Sequence, residues 1–367
     1  MNGVRGDGRV RLEWRAKGNG YMLFNIQTDE GHRVVGYFVP DRFSGTSVIR
    51  IEGSGVEPVT FEANETRDAL VTAGRHETGW CGFSIDETLI PGLAQIQDLE
   101  IQDPETGVVL YRRRPAETVI NAKVFRLETH LEPLTQLDDA FERSFRFFYK
   151  SVEQFGRETT TQIFLLDHAD SIYASGRVLY KTYEYFIEGS NFKTICLLRD
   201  PYDELAERLL VLNRASRGDM GRLGTRDSMS LEGAIEFAAT LDLGDEKQLR
   251  RAFRRMSTEE AFIFADPLVR SLGARTPDET PQESTIAAAL EVLSTCAVVG
   301  LRQHATHFLE ALAALLAVEP STLPAIPELP SVADLGQVLR EIGAVKGLIE
   351  RDLELYNQVK VALEKAL

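Results

Sequence analysis

The feature that most constrains the fold is a change of sequence pattern close to Pro115. Before this residue, short segments rich in β-branched and aromatic residues alternate with turn formers; after it, short apolar segments alternate with long helical stretches. The first pattern is typical of a small β-sandwich, and the second of a parallel sheet with crossover helices. We therefore predict a β-sandwich module over residues 1–116 and an α/β domain over residues 117–367, since a chain of 367 residues favours two domains.

Strand propensity and helical periodicity predict the individual elements. The predicted strands of the first domain are Tyr21–Gln27, His32–Phe38, Ser47–Glu52 and Val108–Arg112. Those of the second domain are Ala122–Leu127, Thr161–Leu166 and Thr194–Leu198. Two helices are predicted, over Leu137–Phe155 and Asp203–Arg214. The chain after residue 230 is almost wholly helical, and near its end one apolar stripe contains Leu335, Leu339, Ile342 and Ile349.

Charge and composition argue against several functional classes. The formal net charge of -15 disfavours a nucleic-acid partner, because phosphate binding needs a basic face. Cys81, Cys196 and Cys296 are widely spaced and odd in number, so they predict neither a disulfide framework nor a metal site. Cys196 lies in an apolar segment, where we expect a small core residue.

We expect a cytoplasmic protein. No segment reaches the ~20 apolar residues of a membrane span, and the first residues lack the apolar core of a signal peptide. This pattern is not that of an integral membrane protein. The sequence leaves a homo-oligomer open.

The most informative segment is a buried strand that runs into Arg199-Asp200-Pro201 and continues as a helix. A ligand at the carboxyl end of that strand meets a guanidinium and a helix N-terminus together, which suits a phosphate group. The alternative is structural: Asp200 caps the helix, Pro201 occupies its first turn, and Arg199 pairs with a nearby carboxylate.

Residues 195–209, ICLLRDPYDELAERL, resemble the strand–Arg-Asp-Pro–helix segment of the sulfotransferase superfamily. Three later segments resemble that family in the same order, and they are residues 265–273, 288–312 and 352–356. The resemblance covers roughly residues 122–367 and implies a parallel-sheet, P-loop-like domain that transfers a sulfuryl group from PAPS. It implies that Arg199 holds the 3′-phosphate of that donor.

Residues 66–85, TRDALVTAGRHETGWCGFSI, resemble part of the small β-sandwich modules attached to bacterial polysaccharide glycosyltransferases and sulfotransferases. In those modules the aspartate falls one place later than Asp68 does here. This second resemblance implies a role in cell-surface polysaccharide biosynthesis, with a saccharide or polysaccharide acceptor as the partner.

The expected loop for the 5′-phosphosulfate departs from the family pattern. Residues 123–133 contain no glycine and place Glu128 and Glu132 where the backbone should approach an anion. The substitutes that the resemblance leaves in this loop are Arg126, Thr129 and His130. A second candidate loop, Ser175-Gly176-Arg177, falls close to Arg199 in the chain.

Two further positions decide the expected chemistry. The family usually carries a serine where this chain has Glu207, which either repels a phosphate or pairs with Arg199 and fills the site itself. Several family members carry a histidine at the position of His168, which would then take the acceptor proton as a general base. The alternative for His168 is a loop histidine bonded to Asp167 or Asp170. His304 and His307 lie three residues apart without an acidic or cysteine partner, so they predict no metal site.

Two functional hypotheses follow. In the first, the protein is an enzyme in which Arg199, Arg126, Thr129 and His130 bind PAPS and His168 acts on the saccharide. In the second, it is a non-catalytic carbohydrate-binding or scaffold protein that retains the sulfotransferase fold. The conformation of residues 126–133 discriminates between them: an open anion pocket favours catalysis, and a filled one favours the non-catalytic protein.

Overall fold

The computed structural model describes residues 22–40, 46–115, 119–166 and 169–366. The strands in this part of the chain form three sheets, of which two have four antiparallel strands and one has five parallel strands. The predicted class, mixed α/β with a parallel sheet after an all-β region, is confirmed. The predicted boundary of the two domains lies within residues 116–118, outside the described residues.

The antiparallel sheets contain eight strands: β1 Leu23–Asp29, β2 Arg33–Val39, β3 Val48–Gly53, β4 Val56–Glu62, β5 Glu65–Thr66, β6 Trp80–Asp86, β7 Leu99–Gln102 and β8 Val109–Arg113. Their orders are β1-β2-β6-β5 and β4-β3-β7-β8. Phe24 and Phe38 from the first sheet belong to the same buried hydrophobic cluster as Ile51 and Ile101 from the second. The alternation of buried and exposed residues along these strands is therefore that of two facing sheets.

The parallel sheet contains β9 Lys123–Leu127, β10 Phe147–Tyr149, β11 Ile172–Gly176, β12 Lys193–Leu198 and β13 Val298–Leu301. Its order is β10-β11-β9-β12-β13. From β9 the chain builds one side of the sheet and then crosses to the other side with β12 and β13. The strand order reverses next to β9, so the carboxyl ends of β9 and β12 flank the crevice in which open α/β sheets bind ligands.

The described helices are α1 Asp68–Thr72, α2 Thr135–Phe141, α3 Arg157–Phe164, α4 Tyr180–Gly189, α5 Pro201–Ala215, α6 Thr225–Ser230, α7 Glu232–Ala239, α8 Glu246–Arg255, α9 Thr258–Phe264, α10 Pro267–Gly273, α11 Glu283–Thr295, α12 Ala305–Leu316, α13 Pro330–Arg340, α14 Gly343–Leu348 and α15 Glu350–Ala366. The apolar stripe near the end of the chain is buried, since Leu335, Leu339, Ile342 and Ile349 pack in one cluster with α5 residues. No helix of the described residues is long and apolar enough to cross a membrane.

Two predicted elements are wrong. The helix predicted over Leu137–Phe155 ends at Phe141 and gives way to β10. Its aromatic residues share a side because Phe141, Phe145 and Phe148 all pack around Tyr173, with ring centroids 5.3 to 5.5 Å from that ring. The strand predicted over Thr161–Leu166 falls mostly within α3.

The β region packs directly on the parallel sheet. The Tyr149 hydroxyl donates to the Val109 carbonyl at 2.8 Å, and the rings of Tyr111 and Phe147 meet edge to face with centroids 6.4 Å apart. Arg112 also donates to the Glu142 carbonyl at 3.0 Å. One hydrophobic cluster contains residues of both regions, so the two share part of a core.

Candidate functional site

The candidate site lies at the carboxyl edge of the parallel sheet, where the strand order reverses. β9 and β12 are hydrogen-bonded neighbours, with Arg126 opposite Ile195. The loops that follow these two strands therefore begin side by side, although about seventy residues of sequence separate them. This pairing places the loop that contains Thr129 and His130 next to the end of β12, which Arg199 follows.

The start of α5 has the predicted local structure. Asp200 is the N-cap residue, and its carboxylate accepts a hydrogen bond from the Tyr202 N–H at 3.0 Å. Pro201 occupies the first turn, where its missing N–H costs nothing. Arg340 forms an ion pair with Asp200 at 2.6 Å, so this cap is also held by α13.

Arg199 is held by the chain itself. Its Nη1 donates to the Glu207 carboxylate two turns along α5, and both side chains are more than nine-tenths buried. The other oxygen of Glu207 accepts from the Glu132 N–H at 3.2 Å. Burial alone would lower the pKa of Arg199, but the nearby charges of Glu207 and Glu204 raise it. Arg199 is therefore a permanent cation whose partner is already in place.

The loop after β9 is filled by the Glu128 carboxylate. This carboxylate accepts from the His130 N–H at 3.2 Å, from His130 Nδ1 at 2.7 Å and from the Leu134 N–H at 2.8 Å. Burial opposes its ionisation, yet the charge of Arg126 and the His130 contact hold the pKa of Glu128 well below its usual range. Glu128 thus takes the hydrogen bonds that a bound anion would receive from this loop.

Arg126 lies beneath the loop and faces inward. It binds both oxygens of Asp138 at 2.8 Å and also pairs with Glu128. Tyr173 donates to Asp138 at 2.8 Å and accepts from Arg126 Nε at 3.0 Å. Arg126 is 2% exposed, so a ligand cannot reach it without disrupting this network. The bidentate contact explains the position of α2, which supplies Asp138.

Thr129 and His130 are likewise turned inward. The Thr129 hydroxyl donates to the Leu197 carbonyl at 3.0 Å and ties the loop to β12. His130 is fully buried, and its Nε2 has no hydrogen-bond partner among the described residues. The structure therefore brings the three predicted loop residues together, but it uses each of them to close the loop.

The second candidate loop is closed in the same way. The Glu153 carboxylate accepts from the Arg177 N–H at 3.0 Å and from its guanidinium at 3.0 Å. A Cβ on Gly176 would lie 2.4 Å from that carboxylate and 2.7 Å from the Val152 nitrogen. Gly176 is thus required by the close approach of Glu153 and Val152.

The space left beside Arg199 is small. It measures about 80 Å³ and is bordered by Arg199, Arg302, Asp203 and Glu328. Pockets for drug-sized ligands measure roughly 300–1,000 Å³. A nucleotide such as PAPS does not fit this space, and two of the bordering carboxylates would repel its phosphates.

The other histidines considered in the sequence are His168, His304 and His307. His168, the predicted general base, lies outside the described residues. The rings of His304 and His307 are 5.9 Å apart between centroids. Within the described ranges, no group of three or more histidine, cysteine or acidic side chains is arranged to hold a metal ion.

Two segments that resemble the sulfotransferases meet in a reciprocal helix cap. Asp352, at the start of α15, accepts from the N–H groups of Leu268 and Val269 at 3.0 and 2.7 Å. Asp266, before α10, accepts from the N–H groups of Arg351 and Asp352 at 2.9 and 3.2 Å. Burial raises the pKa of Asp352 to about 7 despite these bonds. This pairing is not predicted from the sequence; the aspartate before α10 is a local sign of a cap, but each carboxylate caps the other helix, which is distant in the chain.

The segment in the β region that resembles polysaccharide-enzyme modules is also held by internal contacts. Arg67 donates to Glu65 at 2.8 Å and to Gln27 at 3.1 Å, which fastens β5 to the first sheet. A Cβ on Gly82 would lie 2.6 Å from the Arg67 guanidinium. Gly82 therefore makes room for Arg67, which accounts for two of the residues that carry the resemblance.

Comparison with known proteins adds no family: no family model matches the chain, and no curated protein shows significant similarity to it.

Proposed function

We propose that this chain is a non-catalytic binding or scaffold protein that has a sulfotransferase-like fold and does not use a nucleotide donor. The observation that carries the proposal is the buried contact between Arg199 and Glu207. The arginine that would hold the donor's 3′-phosphate already has an anionic partner from the same chain. Glu128 plays the corresponding part in the loop after β9.

The energies favour the internal pair over a ligand. Breaking a buried ion pair by removing one partner costs roughly 3–5 kcal/mol, because the other charge stays buried. A charge-assisted hydrogen bond to a ligand contributes about 1.5–3 kcal/mol. A phosphate that displaced Glu207 would thus lose more than it gained. A second displacement, of Glu128, would be needed for the 5′ end of the donor.

The competing proposal is sulfuryl transfer to a saccharide. It is favoured by the strand–Arg–Asp–Pro–helix geometry, in which Asp200 caps α5 at the carboxyl edge of a parallel sheet. In that reaction Arg199 would have to leave Glu207 and the small cavity beside it would have to open. The context in either case is the one that the resemblances imply, a cytoplasmic step of bacterial surface polysaccharide biosynthesis with a saccharide as the partner.

Titration calorimetry with adenosine 3′,5′-bisphosphate separates the two proposals. We expect no binding to the wild-type protein. We expect Glu207→Ser to create weak binding, because it removes the competing carboxylate, and the double variant with Arg199→Ala to lose that binding. Binding by the wild type that disappears in Arg199→Ala would instead favour sulfuryl transfer.

A further inference from the structure

A larger cavity opens at the same edge of the sheet, on the other side of β9. It measures about 250 Å³ and lies between the loops after β9 and β11 and the helices α9 and α10. Its walls are of mixed polarity, and the apolar part is formed by Leu131, Val178, Leu179, Leu231, Ile263 and Pro267. Three arginines also line it: Arg177, Arg208 and Arg270. We call it the arginine pocket.

The three arginines differ in how they are paired. Arg177 is neutralised by Glu153 and Asp227, at 3.0 and 2.7 Å. In the described part of the chain Arg208 forms an ion pair only with Glu204, whose carboxylate lies 3.7 Å from Nη2, and its charge also acts on Asp352. Arg270 forms no ion pair within the described part of the chain; it donates to two backbone carbonyls, at 2.8 and 3.2 Å, and stacks on a phenylalanine ring.

Both weakly paired arginines keep a buried donor free. The Nε atoms of Arg208 and Arg270 are inaccessible to solvent, and neither has a hydrogen-bond partner in the described part of the chain. Because solvent does not reach these two Nε atoms, a ligand in the cavity would contact the terminal nitrogens of the two guanidiniums instead.

The charges around the cavity indicate the charge of a ligand that would bind there. Burial, and next the charge of Arg208, lower the pKa of Arg270, and the charges of Asp266 and Asp352 offset only part of this. Two carboxylates also line the cavity, but both are engaged elsewhere: Glu128 with Arg126 and His130, and Asp227 with Arg177. An anion would relieve the repulsion between two buried guanidiniums in a chain whose net charge is -15.

We propose that the arginine pocket binds a small organic anion, with Arg208 and Arg270 holding its carboxylate or sulfate group. The guanidinium fork matches such planar or tetrahedral oxyanions. The apolar part of the walls would contact the body of the ligand, and the cavity is about the size of a single sugar or smaller metabolite, below the range for drug-sized ligands. The pocket does not include Arg199. Only the choice of a sugar acid as the probe rests on the proposed function.

The test uses the full-length protein and three probes at matched ionic strength: D-glucuronate, the neutral D-glucose and inorganic sulfate. We expect calorimetry to show glucuronate binding that weakens with added salt, and no glucose binding. Arg270→Gln and Arg208→Gln should each weaken glucuronate at least tenfold, while Arg270→Lys should retain part of the affinity. Arg250→Gln, at an exposed pair with Glu246, is the matched control and should bind as the wild type does.

Three results would overturn the proposal. The first is no glucuronate binding to the wild type, and the second is unchanged binding in Arg270→Gln. The third is sulfate binding as tight as glucuronate, which would mean that no organic body is recognised. Should Arg270→Gln fail to fold, hydrogen exchange of the wild type decides: glucuronate must protect α10 and residues 128–134, and no protection there counts against the pocket.

The test of the arginine pocket can be distinguished from the test of the proposed function. Glucuronate binding should persist in Arg199→Ala at a temperature where that variant is folded. If adenosine 3′,5′-bisphosphate binds and its affinity depends on Arg270 but not on Arg199, the nucleotide occupies the arginine pocket as an anion. If its affinity depends on Arg199, the non-catalytic proposal fails and the arginine pocket is unaffected.

Discussion

Two arginine sites lie at the same edge of the parallel sheet, and they differ in whether a carboxylate of the chain binds the guanidinium. Beside β12, Arg199 is neutralised by Glu207 from the helix that follows it, and the remaining cavity is about 80 Å³. Beside β11, Arg270 forms no ion pair in the described structure, although the charges of Asp266 and Asp352 act on it, and it borders a cavity of about 250 Å³. The arginine in the recognisable motif is thus the occupied one. An arginine favours a bound anion most strongly where no carboxylate of the chain binds its guanidinium directly.

The largest expected effect belongs to Arg199→Ala. It leaves Glu207 buried without its cation, so we expect the free energy of unfolding to fall by about 3–5 kcal/mol. Urea denaturation measures this loss. The double variant Arg199→Met with Glu207→Leu should recover most of it, because an apolar pair leaves no buried charge. If Arg199→Ala is as stable as the wild type, Arg199 is a free cation and the two arginine sites do not differ in this respect.

Next in size is the pH dependence that Asp352 imposes. Its folded-state pKa of about 7 lies above the ordinary unfolded value near 3.9, so between these values only the folded protein holds the proton. Stability from this group is complete at low pH and is lost as pH rises from about 4 to 7, by at most about 1.4 kcal/mol per pH unit. Asp352→Asn should remove this slope. Parallel pH profiles for wild type and variant would contradict the assignment.

The contribution of Glu128 to stability should change with pH in the opposite direction, because Arg126 stabilises its charged form. Its pKa is lowered in the folded protein, so its contribution is present above about pH 4.3 and is lost as pH falls below that value. We expect Glu128→Gln to cost about 1.5–3 kcal/mol at pH 7, through weakened hydrogen bonds to a charged acceptor. Denaturation at pH 7 and pH 3 should show this cost shrinking in acid. A cost that grows in acid would mean that Glu128 is protonated in the folded state.

The smallest stability effect is expected for Arg270→Gln. The variant loses a stacked guanidinium and one of its carbonyl contacts but also loses the repulsion from Arg208, so we expect a change below about 1 kcal/mol. Glucuronate binding, in contrast, should fall at least tenfold. A stability loss as large as that of Arg199→Ala would place Arg270 among the structural residues and erase the difference between the two sites.

The sequence predicts those parts of the structure that depend on interactions between residues close together in the chain. The strand ending at Leu198 is predicted, and so is a helix after it, expected over Asp203–Arg214 and observed from Pro201. The cap at Asp200 is one of two alternatives that the sequence offers, because turn and cap chemistry act between neighbouring residues. Pairing of Glu207 with Arg199 was one of two alternatives, since both lie on one short segment. The arginine pocket could not be foreseen, because Arg177, Arg208 and Arg270 meet only through tertiary packing.

The failed elements have a similar cause. The spacing of Phe141, Phe145 and Phe148 fits a helix, but the residues converge on Tyr173, which is distant in sequence. β11, with the sequence IYASG, was not predicted because its small residues carry little strand propensity; it forms a strand because β9 and β10 flank it. Tertiary context outweighed the local pattern in both cases.

The most direct test of the central claim is calorimetric titration of the full-length wild type with adenosine 3′,5′-bisphosphate. We expect no binding that depends on Arg199, because Glu207 already binds the arginine that the proposal assigns to the 3′-phosphate, and Glu128 already accepts hydrogen bonds from the loop assigned to the 5′ end. Clear binding that weakens by roughly 10- to 150-fold in Arg199→Ala, the effect of losing one charge-assisted contact, would contradict it.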